Sequence, residues 1–367
     1  MTRGVADKRH ARYLGTRQFG SLDGLRCLSI LPVIWHHATP RPLPGIWGKG
    51  PAGVDLFFCI SGFLITTLLL REKARTGKIA FGAFYARRAL RILPLYYATL
   101  LAYLAFALAL PTDSAPRAHF LSTLPYYATF TANWFADFGV THPILFAFAW
   151  SLCIEEQFYA FWPWLVAAFR ARAALLVMCL VLATDWLLER GALSSLFAPS
   201  AHALRILTSF AAPIGLGSLL ALLLHQAASF RVLSWGLGRF WSAPASLALC
   251  LALLGWPSAP LLAFQASLAL LVGACVSNEQ HALAPVLRAR VVSYVGTVSY
   301  GLYLLNTTAL GAVRRLFPSH AQSAGFVFWV GLPLSLVFAA LSHRYLEAPF
   351  LRLRERFRGA PSPAAES

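Results

Sequence analysis

Residues 22–38 read LDGLRCLSILPVIWHHA, an apolar run that carries Arg26 near its start and His37 near its end. Eleven residues separate these side chains, which at about 100° per residue places them on nearly the same helix face. Their axial separation is about 16 Å, half of the hydrocarbon core of a bilayer. In a membrane helix His37 would lie deep, where an ionisable side chain indicates a functional site. The alternative is a structural helix with a snorkelling arginine and a histidine that has no function.

The composition identifies the class of protein. Of the 367 residues, 58% are hydrophobic and 12% are charged, and the mean hydropathy is +0.62. A soluble domain carries about 25% charged residues, so this chain has too few to cover a water-facing surface. The six cysteines fall in apolar runs without a C-x-x-C spacing, which predicts buried hydrophobic side chains and no metal site. We therefore predict an all-α polytopic membrane protein whose partners include the lipid bilayer.

The apolar runs divide the chain into about ten predicted membrane helices. A basic cytoplasmic arm at 1–21, expected to be poorly ordered, precedes a transmembrane domain at 22–350, and a basic, then disordered cytoplasmic tail follows at 351–367. We expect no cleavable signal peptide, because the first 20 residues lack an apolar segment. The predicted spans are 23–40, 52–70, 92–110, 144–169, 174–188, 201–224, 241–256, 260–276, 294–313 and 325–346.

The lysines and arginines predict the orientation of the chain. With the N-terminus inside, the cytoplasmic segments hold 23 of them and the external segments hold seven, and Arg26 completes the 31. Because positive residues concentrate on the cytoplasmic side, we predict that both termini are cytoplasmic and that loop 111–143 is external. The net charge of +17 is then mostly a topology signal, and we expect no nucleic-acid partner.

The predicted inner loop 71–91 contains more positive charge than orientation requires. Arg87, Arg88 and Arg91 stand just before the motif LPLYY, and Arg87 and Arg91 share a helix face. Guanidinium groups match phosphate oxygens bidentately, which predicts a cytoplasmic site for a polyanionic cofactor. The equally weighted alternative is an anchor that binds anionic lipid headgroups.

The fourth predicted span contains two adjacent carboxylates, Glu155 and Glu156, near its middle. Carboxylates at this depth cost several kcal/mol unless they are paired, hydrogen-bonded or protonated. Adjacent residues point about 100° apart, so we expect different partners. One could face His37 or a cofactor while the other holds a neighbouring helix, and a purely structural network is the alternative.

Two further features lie on the predicted outer side. Loop 111–143 is rich in aromatic residues and includes Asn133 and Trp134, a composition that suits a sugar but that is more typical of an interfacial aromatic belt. Asp55 begins the second predicted span, where we expect it to cap the helix N-terminus.

Together these stretches resemble acyltransferase family 3, the integral-membrane O-acyltransferases. The first-helix motif of that family is a basic residue, ten residues and then His, which selects His37 rather than His36. One departure is Asn306, where many members carry His. Further stretches resemble family motifs in order from about residue 22 to 350: GVDLFFCISGFLIT, RRALRILPLYY, ANWF, WSLCIEEQFYAFWP, VSYGLYLLN and YLEAPF.

The resemblance implies transfer of an acyl group, most often acetyl from acetyl-CoA, to a hydroxyl of a carbohydrate. The implied location is a bacterial inner (plasma) membrane, and a stand-alone membrane domain without an appended hydrolase-like domain is expected. A sugar of surface polysaccharide or lipopolysaccharide is the first candidate acceptor. A peptidoglycan sugar or a small glycosylated metabolite is the alternative. Direct transfer and an acyl-histidine intermediate both stay open, as does the oligomeric state.

The resemblance also implies roles for individual side chains. His37 would act as general base or acyl carrier, and a mid-membrane carboxylate could orient it. The candidate catalytic residues are His37, Glu155 and Glu156. The candidate residues for binding the CoA donor are Arg26, Arg87, Arg88 and Arg91. The candidate residues for binding the acceptor are Asp55, Asn133, Trp134, Arg205 and Tyr303.

The competing hypothesis is a proton-coupled transporter or flippase of a glycan or small metabolite, with the same histidine and glutamates as a proton relay. The sequence lacks the internal repeat that many transporter folds contain. That hypothesis also leaves the arginine cluster and the Arg26-to-His37 spacing unexplained. A non-catalytic scaffold would need no buried carboxylates.

The charge distribution makes a testable prediction of topology. In a variant whose native cysteines are replaced, a cysteine introduced at Ala118 should react with a membrane-impermeant maleimide added from outside intact cells. The reason is that the positive-inside distribution places loop 111–143 on the external side. Labelling of position 118 only from the cytoplasmic side would reverse the orientation.

Overall fold

The computed structural model describes residues 3–39, 43–136, 146, 148–192, 203, 206 and 208–357, and within these ranges the chain forms helices and no strands. The α-helices are α1 (Arg3–Gly15), α2 (Leu22–Ala38), α3 (Ala52–Thr76), α4 (Phe81–Leu108), α5 (Ala115–Ala128), α6 (Ala132–Phe135), α7 (Ala149–Ala168), α8 (Ala171–Glu189), α9 (Ala212–His225), α10 (Ala227–Leu237), α11 (Ser242–Gly255), α12 (Leu261–Ser277), α13 (Ala284–Leu287), α14 (Arg290–Thr297), α15 (Ser299–Leu316), α16 (Ala324–Ser342) and α17 (Ala348–Glu355). A π-helical turn, His343–Glu347, connects α16 to α17.

Among the described residues, four helical segments are long and apolar enough to cross a membrane. They are α3, α4, Ala171–Leu188 within α8, and the continuous stretch Ala324–Glu355. The pair α9 and α10, bent by 110°, gives a fifth if the two helices form one span. With the apolar composition, these candidate spans indicate a multi-pass membrane protein that is all-helical in the part of the chain that the structure describes. The ten predicted spans are not confirmed, because several of the helices are shorter or carry more polar residues, and the location of the termini stays a prediction.

Helix α2 lies at the centre of the helical assembly, where it contacts α3, α14, α15 and α16. Its apolar side chains Leu25, Ile30 and Ile34 are completely buried, which fits a helix surrounded by others rather than one facing lipid. The helix runs unbroken through Pro32, so Arg26 and His37 lie on one continuous helix.

The N-terminal arm is not poorly ordered, so that prediction is wrong. Helix α1 packs against α10, and Tyr13 is buried between the rings of Phe19 and Phe230. The Arg71 guanidinium donates hydrogen bonds to the carbonyl oxygens of Tyr13 and Thr16, which lie at the helix end where intrahelical partners are missing. Burial raises the pKa of the Tyr13 hydroxyl to about 12, as expected for a phenol withdrawn from water.

The arginine-rich stretch at 71–91 is mostly helical rather than a loop. Helix α3 continues to Thr76 and α4 begins at Phe81, so only residues 77–80 connect them. Long basic side chains allow a helix to extend beyond the apolar core and still be solvated. Part of the predicted tail is also helical, because α17 reaches Glu355 and packs against α4. Residues 358–367 lie outside the described residues.

Helices α3 and α9 approach each other closely through small residues. A Cβ atom at Gly217 would overlap the carbonyl oxygen of Cys59, and one at Gly62 would overlap the carbonyl oxygen of Ile214. The Ser218 hydroxyl donates to the Ile214 carbonyl at 2.9 Å within its own helix. Small residues at such crossings let the two backbones come into contact. Membrane helices associate through close packing of this kind, because in lipid the hydrophobic effect does not drive them together. All six cysteines are free, and Cys179 is exposed, contrary to the prediction that all are buried.

This close contact predicts that Gly217→Ala lowers the thermal unfolding temperature in detergent. Overpacking costs about 1–3 kcal/mol where the neighbour is backbone, because a backbone carbonyl has little room to move. The control is Gly311→Ala on α15, where no atom lies within 4 Å of the added carbon. That variant should keep or slightly raise the unfolding temperature, since alanine favours helix by about 1 kcal/mol. Equal unfolding temperatures for both variants would contradict the α3–α9 packing.

Candidate active site

Five helices, α2, α3, α4, α7 and α15, enclose a cavity with an empty volume of about 720 Å³, counting the space open to solvent. One end is strongly basic and the other carries hydroxyl groups. The polar side chains that line it include Arg26, Ser61, Arg88, Arg91, Glu155 and Tyr303.

The basic end of the cavity brings three arginines from two helices together. Arg88 and Arg91 lie one turn apart on α4, so they project from one face toward Arg26 on α2. Arg26 forms an ion pair with Asp23 at 2.7 Å. Arg91 also interacts electrostatically with Arg354 on α17, so the C-terminal helix adds a fourth positive charge. Guanidinium groups this close repel one another, and an anion bound among them would relieve that repulsion.

Arg87 does not line the cavity, unlike the two arginines with which it was grouped. Its Nη2 lies 3.5 Å from a Glu72 oxygen, and its Nη1 donates to the carbonyl oxygen of Phe357 at 2.8 Å. The cavity face of α4 carries Arg88 and Arg91, and Arg87 points about 100° away from Arg88. Its contacts hold the C-terminal segment against α4. Of the three arginines that we predicted to bind the donor, Arg88 and Arg91 line the cavity, and Arg87 forms a packing contact.

The two glutamates of α7 have different surroundings, as adjacent positions on a helix require. Glu155 lines the cavity and accepts a hydrogen bond from the Tyr159 hydroxyl at 3.0 Å. It also interacts with the Ser61 side chain and with the charge of Arg88. Glu156 is not among the residues that line the cavity. Its electrostatic interactions are with its neighbour Glu155 and, like those of Glu155, with Arg88.

His37 lies at the far end of α2 from the arginines, in contact with α15. Its Nδ1 is 2.7 Å from Oδ1 of Asn306. Arg314, also on α15, donates hydrogen bonds to the carbonyl oxygens of His37 and Ala38 at 2.8 and 3.0 Å. The neighbouring His36 is exposed, and its ring lies 5.8 Å from that of His37. We considered a mid-membrane carboxylate as the group that orients this imidazole, and in the structure the side chain bound at Nδ1 is an amide.

Asn306 is the site residue that the sequence interpretation missed. It is fully buried on α15, one turn beyond Tyr303, which lines the hydroxyl-bearing end of the cavity. Two signals were available: an amide inside the apolar stretch SYGLYLLN, and the departure from the family pattern at this position. Neither signal identifies His37 as its partner, because that contact joins positions 269 residues apart.

The candidates for acceptor binding are dispersed. Tyr303 lines the cavity, and its hydroxyl lies 2.5 Å from Ser151 Oγ and donates to the Phe148 carbonyl at 3.0 Å. Asp55 interacts with the Gln265 side chain on α12 and lies outside the cavity lining. The prediction that Asp55 caps α3 is wrong, because the cap position is Pro51 and Asp55 lies inside the first turn.

The aromatic segment around Asn133, which we predicted to be external, packs against α7 through its polar side chains. Asn133 and Gln157 exchange two hydrogen bonds, at 3.0 and 2.9 Å, and neither lines the cavity. Trp134 donates through its indole nitrogen to Ser209 Oγ at 2.9 Å. In the structure these two candidates therefore have partners in neighbouring segments. The fifth candidate, Arg205, lies outside the described residues.

Comparison with known proteins identifies the family of the chain. The family model for the acyltransferase 3 domain matches residues 19–344. The chain belongs to acyltransferase family 3. It is 29% identical, over 93% of its own length and 55% of the relative, to a Bacillus subtilis protein named "Putative peptidoglycan O-acetyltransferase YrhL". It is 32% identical to the peptidoglycan O-acetyltransferase OatA of Listeria monocytogenes, over 42% of this chain and 25% of OatA.

Relatives of Staphylococcus aureus named "Putative O-acetyltransferase" are 27% identical over 94% of this chain. The chain spans 59% of the length of those relatives, and no solved structure matches it. The family match covers α2 to α16 and so includes every helix that lines the cavity.

Proposed function

We propose that this acyltransferase moves an acyl group, most often acetyl, from cytoplasmic acyl-CoA to a hydroxyl of a cell-envelope carbohydrate in the bacterial inner membrane. The observation that carries the proposal is the cavity itself. It joins three arginines at one end to Tyr303 at the other, one helical turn from the Asn306 that binds His37.

The arginine end suits the phosphates of the CoA donor. Arg26, Arg88 and Arg91 present forked donors into one space, and charge-assisted bonds from guanidinium to phosphate are among the strongest available. The thin pantetheine arm would extend along the cavity toward Tyr303, bringing the thioester toward His37. Glu155 would hold Arg88 in place through its charge, and it is itself positioned by the hydrogen bond from Tyr159. Acetyl-CoA is a substrate in this scheme and no metal takes part.

The acyl transfer needs a base beyond the Tyr303 end of the cavity, where His37 lies without being one of the lining residues. We assign this role to His37, whose imidazole takes the proton of the acceptor hydroxyl while the hydroxyl oxygen bonds to the thioester carbonyl carbon. The C–S bond then breaks, and the imidazolium returns its proton to the leaving sulfur. Every atom and charge balances without a further reactant. Attack of the imidazole itself on the thioester would instead give an acyl-histidine.

The acceptor follows from chemistry and from the relatives. Two of the relatives are named peptidoglycan O-acetyltransferases. The aromatic rings of the predicted outer segment also suit a sugar face, although the polar groups of Asn133 and Trp134 already have partners within the protein. We therefore place a peptidoglycan sugar hydroxyl first and a surface polysaccharide second. Mass spectrometry of envelope glycans from cells with and without the gene tests the choice. An acetyl mass that is lost from peptidoglycan muropeptides supports it, and a loss confined to another glycan redirects it.

The arginine geometry predicts unequal effects on donor binding. Arg88→Gln and Arg91→Gln should each raise the KM for acetyl-CoA about tenfold or more, because a hydrogen bond to a charged group contributes about 1.5–3 kcal/mol. Arg87→Gln is the matched control, since its contacts are Glu72 and Phe357, and its KM should stay within about twofold of wild type. Purified protein in detergent provides the measurement. Equal KM changes at all three positions would refute this division.

The histidine assignment predicts different results for two adjacent residues. His37→Ala should lower acyl transfer by about 10²–10⁴-fold, the usual contribution of a general base. His36→Ala should keep substantial activity, because His36 is exposed and points about 80° from the Arg26 face.

Both variants must first elute from gel filtration as the wild type does. A folded His37→Ala protein with near wild-type turnover would end the mechanism. Ion flux in liposomes without acyl transfer would favour the transporter hypothesis instead.

A further inference from the structure

The Asn306 side chain has a fixed orientation. Its Nδ2 donates to two backbone carbonyl oxygens of its own helix, those of Leu302 at 2.9 Å and Tyr303 at 2.7 Å. The reverse orientation would place the amide oxygen against these two carbonyl oxygens. All three are acceptors, so no hydrogen bond could form among them. The hydrogen-bond network therefore turns Oδ1 toward His37, where it lies 2.7 Å from Nδ1.

This orientation determines which nitrogen of His37 carries the proton. An amide oxygen only accepts hydrogen bonds, so Nδ1 of the imidazole must donate. A neutral imidazole has a single N–H, and the other nitrogen then has a free lone pair. In the resting protein that nitrogen is Nε2, at the outer edge of the ring.

The geometry points to Asn306 as the positioning residue that selects the Nδ1–H tautomer of His37, so that Nε2 accepts the proton of the acceptor hydroxyl. This assignment rests on the proposed function of His37 as the base. Without the amide, both nitrogens would compete for the proton. A fraction of the molecules would then present an N–H where the reaction needs a lone pair.

The surroundings of Asn306 support a role beyond packing. The side chain is fully buried, and among the residues that the structure describes its one hydrogen bond outside its own helix is the bond to His37. Both hydrogen bonds that its amide nitrogen donates stay within its own helix, so that nitrogen does not tie α15 to another helix. An apolar residue of the same size would fill this space without leaving an unpaired donor on α15. The amide also remains neutral, so it does not trap the imidazolium as a carboxylate would.

The test combines a spectroscopic measurement with kinetics on the full chain. Protein labelled with ¹⁵N-histidine reports the tautomer, because protonated and unprotonated ring nitrogens have well-separated chemical shifts. The His37→Gln variant assigns the signal by its loss. We expect the Nδ1–H tautomer in the wild type and a shift toward Nε2–H in Asn306→Leu. We also expect kcat to fall about 10²-fold in Asn306→Leu, with the acetyl-CoA KM within twofold of wild type.

The matched control is Thr307→Val, the next residue on α15. It removes a hydrogen bond of 2.9 Å to the Tyr103 hydroxyl without touching His37, so it should keep both the tautomer and kcat. Asn306→Asp is the second variant if Asn306→Leu fails to fold. It restores an acceptor at Nδ1 and should retain the Nδ1–H tautomer and more activity than Asn306→Leu.

The possible outcomes separate this inference from the proposed function. An Nε2–H tautomer in the wild type overturns the role of Asn306 even if His37→Gln is inactive. So does an unchanged kcat in a folded Asn306→Leu protein. If instead the His37→Gln protein has normal turnover while the wild type shows the expected tautomer, His37 is not the base. The positioning role of Asn306 in catalysis is then refuted as well. Loss of activity equal in Asn306→Leu and Thr307→Val would reduce Asn306 to a packing residue.

Discussion

The last turn of α2 is bound to α15 by two polar contacts. Carbonyl groups at the end of a helix lack intrahelical donors, and here the Arg314 guanidinium donates to those of His37 and Ala38. The Asn306 amide, about two turns away on the same partner helix, binds the imidazole. These contacts fix how far α2 slides and turns against α15. Because α2 is one continuous helix, they also set where Arg26 enters the cavity eleven residues earlier.

The charge at the opposite end of α2 explains why the cavity suits a polyanion. Arg88 and Arg91 come from α4, Arg26 comes from α2, and Arg354 interacts from α17. Asp23 pairs with Arg26 and Glu155 interacts with Arg88, so carboxylates hold the arginines in place without covering all their donors. In a partly desolvated site, repulsion between guanidinium groups is weakly screened. A ligand with several phosphate charges binds best where such repulsion is relieved on its arrival.

The relations that could be predicted from the sequence are those that the periodicity of a single helix determines. The spacing of Arg26 and His37 follows from 3.6 residues per turn, and so does the divergence of Glu155 and Glu156. Which face of α4 meets the cavity depends instead on packing against α7 and α17, so Arg87 could not be separated from Arg88 in advance. Asn306 is recognisable only through a contact that joins distant parts of the chain. The ordered α1 likewise depends on Arg71, a residue more than 50 positions away.

The placement of charges and hydroxyls along the cavity fits an enzyme site that keeps one conformation better than a transporter site that opens alternately to each side. In the proposed orientation the arginines face the cytoplasm, and His37, about 16 Å further along α2, lies toward the external side. A donor anchored at the arginines and a sugar arriving from outside could meet at the imidazole without the protein opening alternately to each side. A transporter must instead release its cargo on both sides, which disfavours a cluster of guanidinium groups that retains an anion at one end. The convergence of Arg26, Arg88 and Arg91 therefore favours a site that holds its donor while a group is passed outward.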